Sequence, residues 1–181
     1  MTNSPHIRTF SGRLVNPLDL QPEDIIIEDI AHALSHQCRF TGHTRDFYSV
    51  AEHTLRGCNM LAVEHRKQFL LHDAAEAYLL DLPAPLKNNS ELGTCFKDLE
   101  EKIKFSIYTK FGVPTEEHAE VQRIDKRMCE IEKASLMNGH EITNVSKNEI
   151  IFYTMLPGSA KKLFLKTFHA LFDNVQVPLD A

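Results

Sequence analysis

Beyond about residue 25 the apolar residues recur every three to four positions, a spacing that predicts helices along most of the chain. Before that point Gly12, Pro17 and Pro22 separate short apolar pieces and predict an extended or hairpin-like lead-in. The first helix is expected over IEDIAHALSHQ (27–37), followed by the loop RFTGHTRDF (39–47). A second is expected through YSVAEHTLRGCNMLAVEH (48–65), and a third over FLLHDAAEAYLL (69–80), ended by the prolines of DLPAPLK. The fourth takes LGTCFKDLEEKIKFSIYTKF (92–111) and closes at Gly112. Thr115 is the expected cap of a fifth, EEHAEVQRIDKRMCEIEKASLM (116–137). After a loosely patterned stretch, PGSAKKLFLKTFHALFDN (157–174) makes the last. With no repeat, low-complexity tract or linker, the expectation is one all-α domain over residues 1–181.

The third of these helices carries an anomaly. Residues 69–80 are almost wholly apolar, yet His72, Asp73 and Glu76 sit in their middle. Burying charges costs several kcal/mol unless they are paired or hold a metal. His72 and Asp73 are adjacent, so on a helix their side chains diverge by about 100°. An ion lying between them can still take a ring nitrogen from one and a carboxylate oxygen from the other. Glu76, three to four residues on, shares their face and can hang over that ion. On this segment alone, a buried His–Asp hydrogen bond with Glu76 paired to a core arginine explains the pattern equally well.

Composition narrows the partners. The apolar fraction of 43% and charged fraction of 25% are those of an ordinary soluble globular chain. A net charge of −5 without a basic block argues against a nucleic-acid polymer, though a few placed cations could hold a small anion. MTNSPHIRTF has no apolar signal-like region and no stretch approaches ~20 apolar residues, so a cytoplasmic protein without a membrane partner is expected. Four scattered cysteines, Cys38, Cys58, Cys95 and Cys129, read as small core residues in a reducing compartment rather than a zinc–thiolate site.

Ten histidines raise the question of which converge. His53 lies between the apolar side of its helix (Val50, Ala51, Leu55) and solvent, where a half-buried structural histidine is the plainer reading. Asp125 sits along the inward stripe of Val121, Ile124, Met128, Ile131 and Ser135, against the alternative of a solvated residue among Arg123, Lys126 and Arg127. Together His53, His72, Asp73 and Asp125 offer two nitrogens and two carboxylates from three helices. Such a set suits Mn²⁺, Fe²⁺, Co²⁺, Ni²⁺ or Zn²⁺, and gives an expected cofactor of one divalent transition metal per chain.

The order H … HD … D, with RFTGHTRDFYSVAEH, then LLHDAAEAYLLDLPAPLK, then a distal Asp, resembles the HD-domain metal-dependent phosphohydrolases. Within them it is similar to the branch holding the bacterial 5′-deoxynucleotidases and their short YfdR-type relatives. The resemblance covers about residues 8–136. It implies an HD-domain helical bundle and metal ligands at His53, His72, Asp73 and Asp125. It also implies catalytic carboxylates at Glu76 and Asp81 and a phosphate-binding arginine at Arg39. Binuclear members place two further histidines between the HD pair and the last Asp. Only His118 lies in that interval here, so a single-metal centre is implied.

The function implied is an enzyme that removes phosphate from a (deoxy)nucleoside 5′-monophosphate through a metal-activated water. Arg39 offers phosphate a planar fork. His43, in the TGHTRDF loop, and Lys87 are further candidate contacts, with a loop-ordering role open for His43. Asp81 could equally be the cap of a turn before Pro83. A salt bridge to Asp46 or Glu52 is the alternative for Arg39. Competing functions are a nucleotide triphosphohydrolase on the same scaffold, a nucleotide-binding regulatory module that has lost catalysis, and a purely structural helical protein. The partner expected is a small nucleotide, with a homodimer left open.

Overall fold

Seven helices and one two-stranded ribbon make up the chain in a computed structural model, which describes residues 5–139 and 144–173. The lead-in is a hairpin: β1 (Ile7–Arg8) pairs antiparallel with β2 (Leu14–Val15), Ile7 opposite Val15. Asp29 pins its turn to the first helix by accepting from the Ser11 backbone N–H (2.6 Å) and hydroxyl (2.9 Å). That helix, α1 (Ile27–His36), buries Ile27, Ile30, Ala31 and Leu34 and packs against the last one.

The expected second helix is two. α2 (Val50–Asn59) starts at a Ser49 cap, whose hydroxyl accepts from the Glu52 N–H at 3.1 Å, and α3 (Val63–Leu71) follows after a reversal at residues 60–62. No Gly or Pro marks that reversal. Leu61 turns inward, 4% exposed, so the apolar rhythm runs straight through it. α3 then folds back along α2 so closely that a Cβ on Gly57 would lie 2.1 Å from Cε1 of Phe69. This return brings His72 beside His53.

The expected third helix is also corrected. α3 ends at Leu71, and only a 3₁₀ turn, Ala74–Ala77, follows. The His72 ring takes the Phe69 carbonyl (2.6 Å) and closes the helix at the HD pair. The prolines of DLPAPLK begin a short helix rather than ending one: α4 (Ala84–Asn89) has Pro83 as its N-cap and Pro85 in its first turn. α5 (Glu91–Phe111) ends as expected at Gly112, left-handed at φ 65°. α6 (Ala119–Leu136) begins three residues later than expected. Its cap is His118, whose Nδ1 accepts from the Glu120 N–H, and not Thr115. α7 (Pro157–Phe172) completes the bundle, and Asn174 of the expected helix lies outside the described residues.

α1, α2 and α7 pack together, α6 crosses α2 and α3, and α5 leans on the Ala74–Ala77 turn. All four cysteines are free, but only Cys58 is a core residue and Cys95 is exposed, so the expectation of four core thiols holds for one. Among the described residues no helix is long and apolar enough to cross a membrane.

Candidate metal centre and its cavity

Two imidazoles are oriented from behind so that their other nitrogens face one another. His53, on α2 and fully buried, has Nδ1 2.6 Å from Glu132 Oε1 on α6. His72, at the end of α3, has Nδ1 2.6 Å from the Phe69 carbonyl oxygen. A carbonyl can only accept, so the His72 proton lies on Nδ1. Glu132 is ion-paired to Arg39 (Nε–Oε2 3.1 Å) and accepts from Tyr48 (3.0 Å), so it too is an acceptor. Both Nε2 lone pairs therefore point forward, 3.3 Å apart.

Two carboxylates complete the cluster. Asp73 Oδ2 lies 3.2 Å from His72 Nε2 and 3.6 Å from His53 Nε2. Asp125 Oδ1 lies 3.3 Å from His53 Nε2 and 3.7 Å from His72 Nε2. His53, His72 and Asp73 offer donor atoms all within 4.8 Å of one another and could hold a metal ion. Four lone-pair donors at this spacing repel one another unless positive charge lies between them, and the back-side donation from each imidazole is the habit of metal-ligating histidines. The residues fit a cation.

The electrostatics agree. Burial and the Arg39 charge oppose protonation of His53, yet Glu132 and Asp125 outweigh them and raise its pKa to about 9. Left to itself, the site draws in a proton. Burial also works against the charge on Asp73, but His72, His53 and Arg39 keep its pKa below the usual carboxylate value. Asp125, likewise opposed by burial, is held far below by the two histidines, whose Nε2 atoms donate to it whenever the rings take up a second proton. Glu76 goes the other way. Burial first, then the Asp73 and Asp81 charges, push its pKa well up, and its Oε2 has no partner. Asp81 is raised by burial, with Arg39 opposing.

Above the cluster opens a cavity of about 520 Å³. Its wall contains every other residue the sequence singled out: Arg39, His43, Glu76, Asp81 and Lys87, together with Asp73 and Asp125. A similar volume, about 580 Å³, lies between residues 17–21 and α5 but has no histidine and no converging donors.

Arg39 sits at the start of a tight turn in which Phe40 and Thr41 both take left-handed backbone angles, φ 53° and 55°. Such angles are costly for a β-branched residue and are held only by surrounding structure. Neither Asp46 nor Glu52 pairs with Arg39. Its partners are Glu132 and, at 3.6 Å, Asp73, while Glu52 binds Arg56. Lys87 is paired with Glu100 at 2.5 Å.

Sequence reasoning missed Glu132, Gln37 and Lys133. Glu132 stands seven residues after Asp125 and four after Met128, so the same helix phase that singled out Asp125 points to it as well. Gln37 donates to the Glu76 carbonyl at 2.7 Å and steadies the turn that carries that carboxyl. Lys133 adds a cation to the cavity wall that the sequence did not distinguish from its basic neighbours.

No family model matches the chain. It is 41% identical over 130 residues to the uncharacterized protein YfdR of Escherichia coli, a match spanning 72% of this chain and 71% of that protein. An uncharacterized protein of Rhodobacter capsulatus is 37% identical over 128 residues, 66% of this chain and 64% of its own length. Identity of that order over more than two thirds of both chains places the chain in the YfdR family.

Proposed function

We propose that the chain is a metal-dependent phosphohydrolase of the HD-domain type, removing phosphate from (deoxy)nucleoside 5′-monophosphates. The observation that carries this reading is the convergence of His53, His72, Asp73 and Asp125 under a cavity whose wall bears Arg39, Glu76 and Asp81. Two nitrogens and two carboxylates fit a divalent first-row ion, one per chain. Bound there, such an ion supplies Lewis-acid charge for a phosphoryl oxygen and acidifies water.

The chain's own groups do the rest. Phosphoryl transfer asks mainly for positioning and for positive charge around the equatorial oxygens. Arg39, kept charged by Glu132 and Asp73, provides that charge at the cavity wall. Burial and the neighbouring Asp73 and Asp81 charges raise the pKa of Glu76, which suits it to give a proton to the leaving 5′-oxygen. Asp81, nearer solvent, orients the attacking water. Cation supply favours a monophosphate, because Lys87 is engaged by Glu100 and Arg39 by Glu132.

A phosphate-release screen over nucleoside mono- and triphosphates, with Mn²⁺, Co²⁺ and Mg²⁺ in turn, tests the reading. Inorganic phosphate from monophosphates, dependent on the metal, is the expected result. Pyrophosphate or tripolyphosphate from triphosphates alone would move the assignment to a triphosphohydrolase. Tight nucleotide binding without release would make the chain a regulatory module.

A further inference from the structure

Glu132 touches two residues of the site, His53 and Arg39, yet is not among the residues lining the cavity. It is fully buried on α6. Its Oε1 accepts from His53 Nδ1 (2.6 Å) and the Tyr48 hydroxyl (3.0 Å), and its Oε2 accepts from Arg39 Nε (3.1 Å). A carboxylate in such a place survives only because its lone pairs are filled by good donors, one of them the charged Arg39 guanidinium. His53 and Arg39 lie on different elements, α2 and the 39–42 turn, and the structure gives them no direct hydrogen bond to each other. Glu132 hydrogen-bonds both from behind, while Asp73 lies 3.6 Å from each on the side of the cluster.

We propose that Glu132 is a positioning residue that locks the metal-site imidazole and the anion-facing guanidinium into one rigid unit. On the His53 side it fixes the proton on Nδ1, leaving the Nε2 lone pair aimed at His72, Asp73 and Asp125. On the Arg39 side it holds the Nε edge, so that Nη1 lies by Asp73 and the guanidinium faces the cavity. One carboxylate therefore sets both halves of the site, and its loss disturbs cation binding and anion binding together. A buried carboxylate kept only for packing or stability would have no reason to move both.

This inference rests on the metal-site reading above, and the test keeps the two apart. Glu132→Gln keeps the volume but presents an N–H where an acceptor is required on one side. Mn²⁺ titration of the stripped protein, binding of inorganic phosphate to the Mn²⁺-loaded protein, and the ¹⁵N shifts of the His53 ring in the diamagnetic Zn²⁺-loaded protein are measured on wild type and variant. Expected are Mn²⁺ affinity lower by about 10–100-fold, weaker phosphate binding, and loss of the pure Nδ1–H signature of His53. A remote core variant, Phe164→Leu, chosen to melt at the same temperature, should change none of these.

Wild-type Mn²⁺ affinity and an unchanged Nδ1–H signature in Glu132→Gln would overturn the proposal. If that variant does not fold, the wild-type ring decides: His53 protonated on Nε2 alone in the diamagnetic Zn²⁺-loaded protein overturns it, and Nδ1–H supports it. Absence of Mn²⁺ binding in wild type would instead overturn the metal-site reading. The ring shifts of the metal-free protein would then still test the Glu132 contact.

Discussion

His53 and His72 approach Nε2 to Nε2 at 3.3 Å, with the proton of each ring committed to an acceptor behind it. Two imidazoles do not hold that arrangement for their own sake. It becomes favourable when a positive charge sits between them, and Asp73 and Asp125 close the remaining sides.

Asp73→Ala removes the carboxylate that lies within 3.6 Å of both imidazole nitrogens. Elemental analysis of gently purified protein should give about one transition metal per wild-type chain and almost none for the variant, with turnover lost as well. Full occupancy in Asp73→Ala would place the metal elsewhere.

Glu76→Ala should behave differently. Its carboxyl lines the cavity, and its pKa is raised by burial and by the Asp73 and Asp81 charges, which suits a proton donor better than a ligand. Metal content and substrate affinity should persist while kcat falls by ~10²–10⁴, the usual contribution of acid–base help. A metal-free variant would make Glu76 a ligand instead.

Arg39 serves both packing and substrate, so two substitutions are needed. Arg39→Ala strands the buried Glu132 charge and should cost about 3 kcal/mol of stability, as broken buried pairs do, along with substrate binding. Arg39→Lys keeps a cation for Glu132 but loses the fork. It should melt close to wild type while kcat/KM drops nearly as far as in the alanine variant. Normal turnover by Arg39→Lys would leave phosphate to His43, Lys133 or the metal.

Gly57→Ala tests how far the site depends on packing. The added methyl would fall on the Phe69 ring, and Phe69 is three residues before His72 on the returning helix. Overpacking of this kind costs about 1–3 kcal/mol. A lower melting temperature accompanied by weaker Mn²⁺ binding is expected. A loss of stability with unchanged metal affinity would show that α3 yields without moving its histidine.

Acid sensitivity should have a small contribution from Glu149. The Ser146 backbone N–H and the Arg127 guanidinium pull its pKa to about 2 from an ordinary 4.5. A depressed carboxylate stabilises the fold above its unfolded pKa and loses that contribution as pH falls toward the folded one. The window is therefore about pH 4.5 down to 2. Because the pair with Arg127 (2.7 Å) is partly exposed, the contribution should stay below ~1 kcal/mol. Melting curves of Glu149→Gln should converge on wild type through that window; parallel curves down to pH 2 would remove the pair from the stability account.

His72, Asp73 and Asp125 were legible because charged groups interrupt apolar faces, which a helix phase reveals. His53 reads more plainly as a structural histidine, and the set of four as ligands comes with the resemblance. The α2–α3 reversal was not legible. Leu61 keeps the apolar rhythm going while the backbone turns, and periodicity reports burial rather than direction. α4 was hidden by reading proline only as a terminator, although a proline in the first turn sacrifices no hydrogen bond. The Arg39 partner was out of reach for another reason. Asp46 and Glu52 are near in sequence, whereas Glu132 is 93 residues away and is brought in only by the crossing of α6 over α2.

That separation gives the site a timetable. Synthesis delivers His53, His72 and Asp73 early, but the carboxylate that orients His53 follows 79 residues later. Glu52, the neighbour of His53, has Arg56 close at hand, but its other oxygen receives the Met155 N–H (2.7 Å) only 103 residues on. A nascent chain thus exposes flexible donors with no enforced geometry, able to grip whatever soft cation is at hand but unable to discriminate. Selectivity arrives with α6 and the segment before α7, when nearly the whole polypeptide has left the ribosome. Under the proposed metal-site reading, cation choice is therefore a property of the finished fold rather than of the His–Asp pair alone.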